Sequence, residues 1–262
     1  MTDWLALCRA SVDDVLRVLE QLPTRAEREP VVGAGLGGDD TTAVDKAAED
    51  AILARFRDLD VTIVSEEIGR FGTGSTVVVV DPIDGSLNAK RGIPFFSVSI
   101  AFADGERMDD VFLGYVYDFG TGEEWVGRRG GGATLNGEAL GGVRPKDRIE
   151  ILSFEATLTS LIAEQAPAVA GLAHRLRIMG SLALSLCQLA AGRVDAVCSL
   201  KAARSVDIAA AQLLCREVGL ALDLFDDARP FGEAELDLLG RSRLAAAGTT
   251  ALCGELAGAL SA

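Results

Sequence analysis

Val77-Val-Val-Val-Asp81-Pro-Ile-Asp84-Gly-Ser86-Leu-Asn88 is the stretch on which the reading of the fold turns. Thr76 to Val80 is a continuous β-branched run, the pattern of a strand covered on both faces. Pro82 has no N–H to give to a ladder, so the strand is expected to end at Asp81. Gly85 then lets the backbone turn sharply and present Asp84 beside Asp81. Two carboxylates and the Ile83 carbonyl can therefore converge on one point, and hard cations such as Mg²⁺ take oxygen ligands of this kind. Ser86 and Asn88 follow where a helix can begin, and free N–H groups at a helix start bind phosphate. Taken alone, Asp84-Gly85 reads as an ordinary turn and Asp81 as a strand-end cap; the full string is far more specific.

Other acids lie on either side of this stretch. Val61-Thr-Ile-Val-Ser65-Glu66-Glu67 predicts a strand ending in two carboxylates, although Glu pairs commonly face solvent. Ser205-Val-Asp207-Ile-Ala-Ala-Ala-Gln212 sets one acid at the mouth of an apolar helix, which is also where an N-cap belongs. Asp45, at the start of a second helix, carries the same two readings. Gly33-Ala-Gly-Leu-Gly-Gly38 reads as a mobile loop.

Hydrophobic periodicity supplies the remaining elements. Helices are expected over 4–20 and 45–56, and strands over 95–103 and 111–117. The Gly-rich stretch 120–142 reads as hairpins and turns. Beyond it, strands over 149–154, 174–179, 194–199, 220–224 and 243–247 alternate with helices over 157–170, 181–191, 207–218 and 249–261. An α+β half, residues 1–145, is thus followed by an α/β half, residues 146–262, the two packed as one unit.

With 262 residues, 49% of them hydrophobic, the chain can bury a sizeable core. Its formal charge of -14 repels nucleic acid and anionic membrane, so neither is expected as a partner. The same charge requires cations before an anionic substrate can be held. The five Cys show no CxxC spacing and read as buried free thiols. The first residues carry acids where a secretory leader carries bases, and no apolar run approaches the ~18 residues of a membrane span. A soluble cytoplasmic protein is expected. The single histidine, His174, argues against His-triad hydrolysis and multi-His metal centres.

Five segments, in order, resemble the signature of the inositol monophosphatase superfamily: Thr42-Ala-Val-Asp45, Ser65-Glu66-Glu67, Asp81-Pro-Ile-Asp84-Gly-Ser86-Leu-Asn88, Arg177-Ile-Met-Gly180-Ser181 and Val206-Asp207-Ile-Ala-Ala. The resemblance implies a layered αβαβα sandwich, a homodimer and a Mg²⁺-dependent phosphatase with two or three ions per site. It implies that Glu66, Asp81 and the Ile83 carbonyl hold a first metal and that Asp81, Asp84 and Asp207 hold a second. A third, weaker one would use Glu66 and the Gly-rich loop. The implied reaction is in-line displacement by a metal-bound water, oriented by Glu66. Ser86 stands where Thr is usual, and its hydroxyl would relay a proton toward Asp45. Asp84 and the N–H groups of Gly85 and Ser86 would contact the substrate phosphate. Glu67 belongs either to the first metal or to the shell around it.

The last motif bears on the substrate. Eukaryotic members carry Trp where Val206 stands and an inositol-binding acid where Leu200 stands. Leu200-Lys201-Ala-Ala-Arg204-Ser-Val-Asp207-Ile-Ala and Gly33-Ala-Gly-Leu-Gly-Gly-Asp-Asp40 are instead similar to an archaeal branch that combines fructose-1,6-bisphosphatase with inositol monophosphatase activity. Bases in place of an acid favour a substrate with a second phosphate. Arg177, Arg204 and Lys201 are the candidate contacts, with a solvated side chain as the other reading of each. Two rivals remain. A 3′-phosphoadenosine nucleotide phosphatase needs a purine-stacking pocket, which a chain with 5% aromatics does not advertise. A catalytically silent homologue, binding metal or a partner, needs a lost ligand, and all four acids are present.

Overall fold

The computed structural model describes residues 2–36, 40–141, 146–155 and 158–261. It opens with α1 (Trp4–Gln21), the single turn α2 (Arg25–Arg28), a hairpin of β1 (Val31–Ala34) and β2 (Asp40–Thr42), and α3 (Ala43–Ala54). Next come β3 (Val61–Ser65), β4 (Gly69–Gly72), β5 (Thr76–Asp84), the short α4 (Ser86–Arg91), β6 (Ser97–Ala103), β7 (Val111–Asp118), β8 (Glu124–Arg128), β9 (Gly132–Leu135) and β10 (Glu138–Ala139). These eight strands form one sheet in the order β10-β9-β8-β7-β6-β5-β3-β4, in which only β3 and β5 are parallel neighbours.

The second half contributes β11 (Ile149–Glu155), α5 (Thr159–Gln165), β12 (Ala173–Arg177), α6 (Leu182–Ala190), β13 (Ala196–Ala203), α7 (Ser205–Glu217), β14 (Ala221–Leu224), β15 (Ser242–Ala247) and α8 (Thr250–Ser261). Its sheet runs β12-β11-β13-β15-β14, parallel across the first three strands and antiparallel beyond.

Alternation along the buried strands explains the layers. Val77 to Val80 are between 0% and 3% exposed, so β5 is covered on both faces. Val78 and Val80 share a core with Cys8 and Val12 of α1 and Ile52 of α3. Val77 and Val79 point the other way, into a core with Leu184 and Leu186 of α6 and Ala210 and Leu214 of α7. The same central core takes Val197, Leu244 and Ala246 from the five-stranded sheet. Their neighbours Ala196, Cys198, Ala245 and Ala247 face outward, against Leu252 and Leu256 of α8. The succession is helices, sheet, helices, sheet, helices: the αβαβα sandwich that the resemblance implied.

α7 lies unusually close to the large sheet. A Cβ at Gly114 of β7 would stand 2.3 Å from the Ala210 carbonyl oxygen. Three consecutive alanines, Ala209 to Ala211, provide the small surface that this approach needs.

Two expectations are corrected. β5 does not stop at Asp81 but continues to Asp84, pairing Asp81 with Ser99 and Asp84 with Ser97 across a bulge. Pro82 sits inside that bulge, where no ladder N–H is required. The Gly-rich segment is not simply a loop, because Gly33 and Ala34 pair with Thr41 and Asp40 as part of β1. The β-branched Val31 and Val32 start that strand. Residues 37–39, the remainder of that segment, and residues 142–145 after the hairpins lie outside the described residues. The five Cys are buried and free, as expected. Among the described residues, no helix is long and apolar enough to cross a membrane.

Gly114→Ala should destabilise the protein by about 1–3 kcal/mol, because the neighbour that must yield is backbone. Gly254→Ala, in α8 with nothing within 4 Å of the added carbon, should stabilise it by about 0.5–1 kcal/mol. Urea unfolding of both variants tests the packing; equal midpoints for Gly114→Ala and the parent contradict the close approach.

Candidate active site

The C-terminal ends of β3, β5, β11 and β13 meet the starts of α3, α4, α6 and α7 around an open cavity of about 440 Å³. Asp45, Glu66, Glu67, Asp81, Ile83, Asp84 and Asp207 line it, as do Gly85, Ser86, Lys201 and Arg204. Arg177 is the nominated residue that the cavity lining does not include. It ends the edge strand β12, exposed, with its guanidinium donating to the Leu176 carbonyl at 2.9 Å. Leu200 is also turned away, into the outer core, while its strand neighbours Ser199 and Lys201 face the cavity.

Local hydrogen bonds fix each acid. Asp45 and Asp207 both occupy the third position of their helices. Asp45 Oδ2 accepts from the Thr42 N–H at 3.2 Å and the Thr42 hydroxyl at 2.5 Å. Asp207 Oδ2 accepts from the Arg204 N–H at 2.7 Å. Both are therefore helix caps, as one reading of the sequence had it. Capping accounts for only one oxygen of Asp45: Oδ1 is buried without a hydrogen bond among the described residues. Asp81 Oδ1 accepts from the Ile83 N–H at 3.1 Å, closing the turn within the bulge. Asp84 Oδ2 accepts from the Ser181 hydroxyl at 2.5 Å and the Ala183 N–H at 2.7 Å, which ties the end of β5 to the start of α6. Gly85 follows with φ +92°, and a Cβ there would stand 3.0 Å from the Gly180 carbonyl oxygen. The Ser86 hydroxyl donates to the Ile83 carbonyl at 2.9 Å and not to Asp45.

Sequence reading missed two supporting acids and one base. Glu49 lies one turn beyond Asp45. Its Oε1 accepts from the Ser65 hydroxyl at 2.5 Å and from the N–H groups of Glu67 and Ile68 at 3.3 and 3.2 Å. It thereby clamps the turn that presents Glu66 and Glu67. The signal was a second acid, one turn after Asp45, on the buried face that also carries Val44, Ala48 and Ile52. Glu155, at the end of β11, accepts from the Ser153 and Ser185 hydroxyls and from the N–H groups of Met179 and Gly180. Lys90, in the last turn of α4, also lines the cavity.

Burial dominates the electrostatics. It pushes Glu66 up to about 7, with the Arg204 charge opposing and Asp207 adding. It pushes Asp84 up to about 7 against the Ser181 hydrogen bond. Asp81 is raised well above the ordinary carboxylate range, first by burial and then by repulsion from Glu66, Asp84 and Asp207. The Arg204 guanidinium stands between Glu66 and Asp207, at 2.7 and 2.8 Å. Among the described residues, no three acids stand close enough as placed to hold one metal ion. The donor set nevertheless fits a hard divalent cation. It is all oxygen, at least half-buried and mutually repelling, and beside it Asp45 keeps one orphaned oxygen.

Residues 9–260 match the inositol monophosphatase family. This chain belongs to that family. A fructose-1,6-bisphosphatase/inositol-1-monophosphatase of Archaeoglobus fulgidus is 35% identical over 248 residues, covering 94% of this chain and 93% of its own. The protein of the same name from Thermococcus kodakarensis is 38% identical over 192 residues, 72% of this chain and 71% of its own. A solved inositol monophosphatase–fructose 1,6-bisphosphatase superposes with a TM-score of 0.85 at 28% identity, over 99% of this chain and 100% of that one. The archaeal relatives agree with the branch that the last motif resembles. Family membership makes the chain a phosphatase.

Glu66 and Asp84 hold protons in the folded state that the unfolded chain has released, since their folded values exceed ordinary ones. Their contribution to stability is present below about pH 4 and is lost as pH rises through about 7. Carboxylates paired with Arg, such as Asp14 and Asp226, are lowered and act below this window. In a chelator the melting temperature should therefore fall between about pH 5 and pH 8, and Mg²⁺ should restore it most at the upper end. A metal-free melting temperature that rises across this range contradicts the burial of these acids.

Proposed function

We propose that this family member is a Mg²⁺-dependent phosphomonoester hydrolase acting on fructose 1,6-bisphosphate, inositol 1-phosphate or both. The observation that carries the reading is the convergence of Glu66, Asp81, Asp84, Asp207 and the Ile83 carbonyl on one cavity that also contains Lys90, Lys201 and Arg204. Four carboxylates cannot receive a dianionic phosphate unless cations intervene. Mg²⁺, when bound, activates the attacking water and stabilises charge on the attacking and leaving oxygens.

The chain's residues do the rest. Glu66, Asp81 and the Ile83 carbonyl would hold one ion, and Asp81, Asp84 and Asp207 would hold another. A third would share Glu66. Glu66 orients the attacking water, and Ser86 passes its proton toward Asp45, whose Oδ1 has no other partner among the described residues. In this role Ser86 first releases the Ile83 carbonyl, which it engages now. The N–H groups of Gly85 and Ser86, with Asp84 beside them, orient the phosphate. Glu49 and Glu155 act through these groups by fixing the turns that carry them. Glu67, which accepts from the Thr41 hydroxyl, supports the first ion from behind.

Lys201, Arg204 and Lys90 add positive charge to the cavity, which suits a substrate carrying a second phosphate. Arg177 is given no contact, because it does not line the cavity. The family resemblance alone supports a homodimer, and a cytoplasmic location is proposed with it.

Phosphate release with Mg²⁺ should be measured on fructose 1,6-bisphosphate, inositol 1-phosphate and 3′-phosphoadenosine 5′-phosphate. Turnover of either of the first two is expected; turnover of the nucleotide alone would overturn the assigned substrate. Asp84→Asn should lower turnover at physiological Mg²⁺ by about 100-fold or more, since even outer partners of metal ligands cost ~10–100-fold. Full activity of that variant removes Asp84 from the ligand set.

A further inference from the structure

Arg204 occupies the place where positive charge is most needed. Its Nη2 stands 2.7 Å from Glu66 Oε1 and 2.8 Å from Asp207 Oδ1, and the three side chains are only 7%, 14% and 15% exposed. Its Nε also donates to Asp207 Oδ2, at 3.2 Å. One planar cation thus bridges acids from two distant parts of the chain, the turn after β3 and the first turn of α7. Such a fork matches carboxylates in a way that an ammonium group does not.

Those contacts conflict with the ligand assignment. The oxygens that Arg204 engages on Glu66 and Asp207 belong to carboxylates assigned to two different ions. The guanidinium already takes lone pairs on both carboxylates, and a divalent ion beside it would meet a like charge, so metal and guanidinium compete for these two acids. The backbone need not move for the exchange. Arg204 N–H stays bonded to Asp207 Oδ2, fixing the residue as the cap of α7. Only the side chain has to swing, and it borders an open cavity of about 440 Å³.

We propose that Arg204 is the built-in counter-cation of the metal-free site: it holds Glu66 and Asp207 together, competes with divalent ions for them, and turns toward the substrate anion once ions displace it. The proposal rests on the metal assignment above and adds to it a cost that every binding ion must meet. Arg204 thereby lowers the metal affinity of the empty enzyme. Because linkage is reciprocal, an anion that draws the guanidinium away raises that affinity. Ions and substrate would then load together, and idle enzyme would hold its ions weakly.

Mn²⁺, a hard oxygen-seeking substitute for Mg²⁺, can be titrated by electron paramagnetic resonance into the chelator-treated full chain without substrate. Arg204→Gln should bind it roughly five- to 150-fold more tightly than the parent, the usual span for coupled sites. Arg204→Lys, a cation without the fork, should fall between the two. Circular dichroism establishes whether each metal-free variant is folded. If Arg204→Gln does not fold without metal, the comparison of Arg204→Lys with the parent decides. Equal or weaker Mn²⁺ binding by the folded variants overturns the counter-cation role and leaves the metal assignment standing. No Mn²⁺ binding to the parent or either variant overturns the metal assignment, and the proposal with it.

Discussion

Four carboxylates crowded on one cavity, Asp81 and Asp84 buried and Glu66 and Asp207 half-buried, are the constraint to which the site and its surroundings answer. Nothing in an apolar interior favours Glu66, Asp81, Asp84 and Asp207 in one cavity, and burial raises three of them well above their ordinary range. The fold tolerates the arrangement by placing each acid where other groups demand it. Asp45 and Asp207 complete helix caps, Asp84 receives the start of α6, and Asp81 closes a bulge. The helix starts that ring the cavity add positive dipole ends where the negative charge is concentrated. Arg204 supplies a full positive charge directly between two of the acids.

The sandwich makes that concentration possible. Glu66 directly follows β3, Asp81 lies at the bulge of its parallel neighbour β5, and Asp207 opens a helix that lies between the two sheets. They meet because α7 can press against β7, which depends on Gly114 and the alanines opposite. A larger residue at that contact would shift α7 as a body and Asp207 with it. The site's geometry is thus set partly by packing distant from any acid, in a core of small side chains.

Much of this was legible in the sequence because the signals were local. A strand covered on both faces writes itself as an unbroken apolar run, so β5 was plain, and Asp81 and Asp84 came with it. Ordered motifs then identified Glu66 and Asp207. Edge elements were less legible: β4, with Gly69 and Gly72 at its ends, and the exposed β1 carry no alternation to read. Pro82 misled because a bulge excuses a proline that a regular ladder would not. Glu49, Glu155 and the link from Arg204 to Glu66 were hidden for another reason. Their partners are far away in the chain, and a hydrogen bond across the fold leaves no spacing in the sequence. Arg177 shows the converse, since its motif was recognisable and yet its strand lies at the sheet edge, outside the cavity lining.

The double duty of Asp45 and Asp207 has a consequence for reading any change at this site. Each carboxylate closes a helix with one oxygen and reaches the cavity as a charge. Replacing either by Ala removes the cap and the charge together, so a loss of activity could arise from a frayed α3 or α7 alone. Asn keeps one oxygen that can accept from Thr42 or Arg204, while it removes the charge and turns the other oxygen into an amide donor. Stability and function are therefore separable here by chemistry and not by position. The same logic extends to Arg204. Its N–H belongs to the cap and its guanidinium to the cavity, so side-chain variants leave the cap donor in place while the charge between Glu66 and Asp207 is changed.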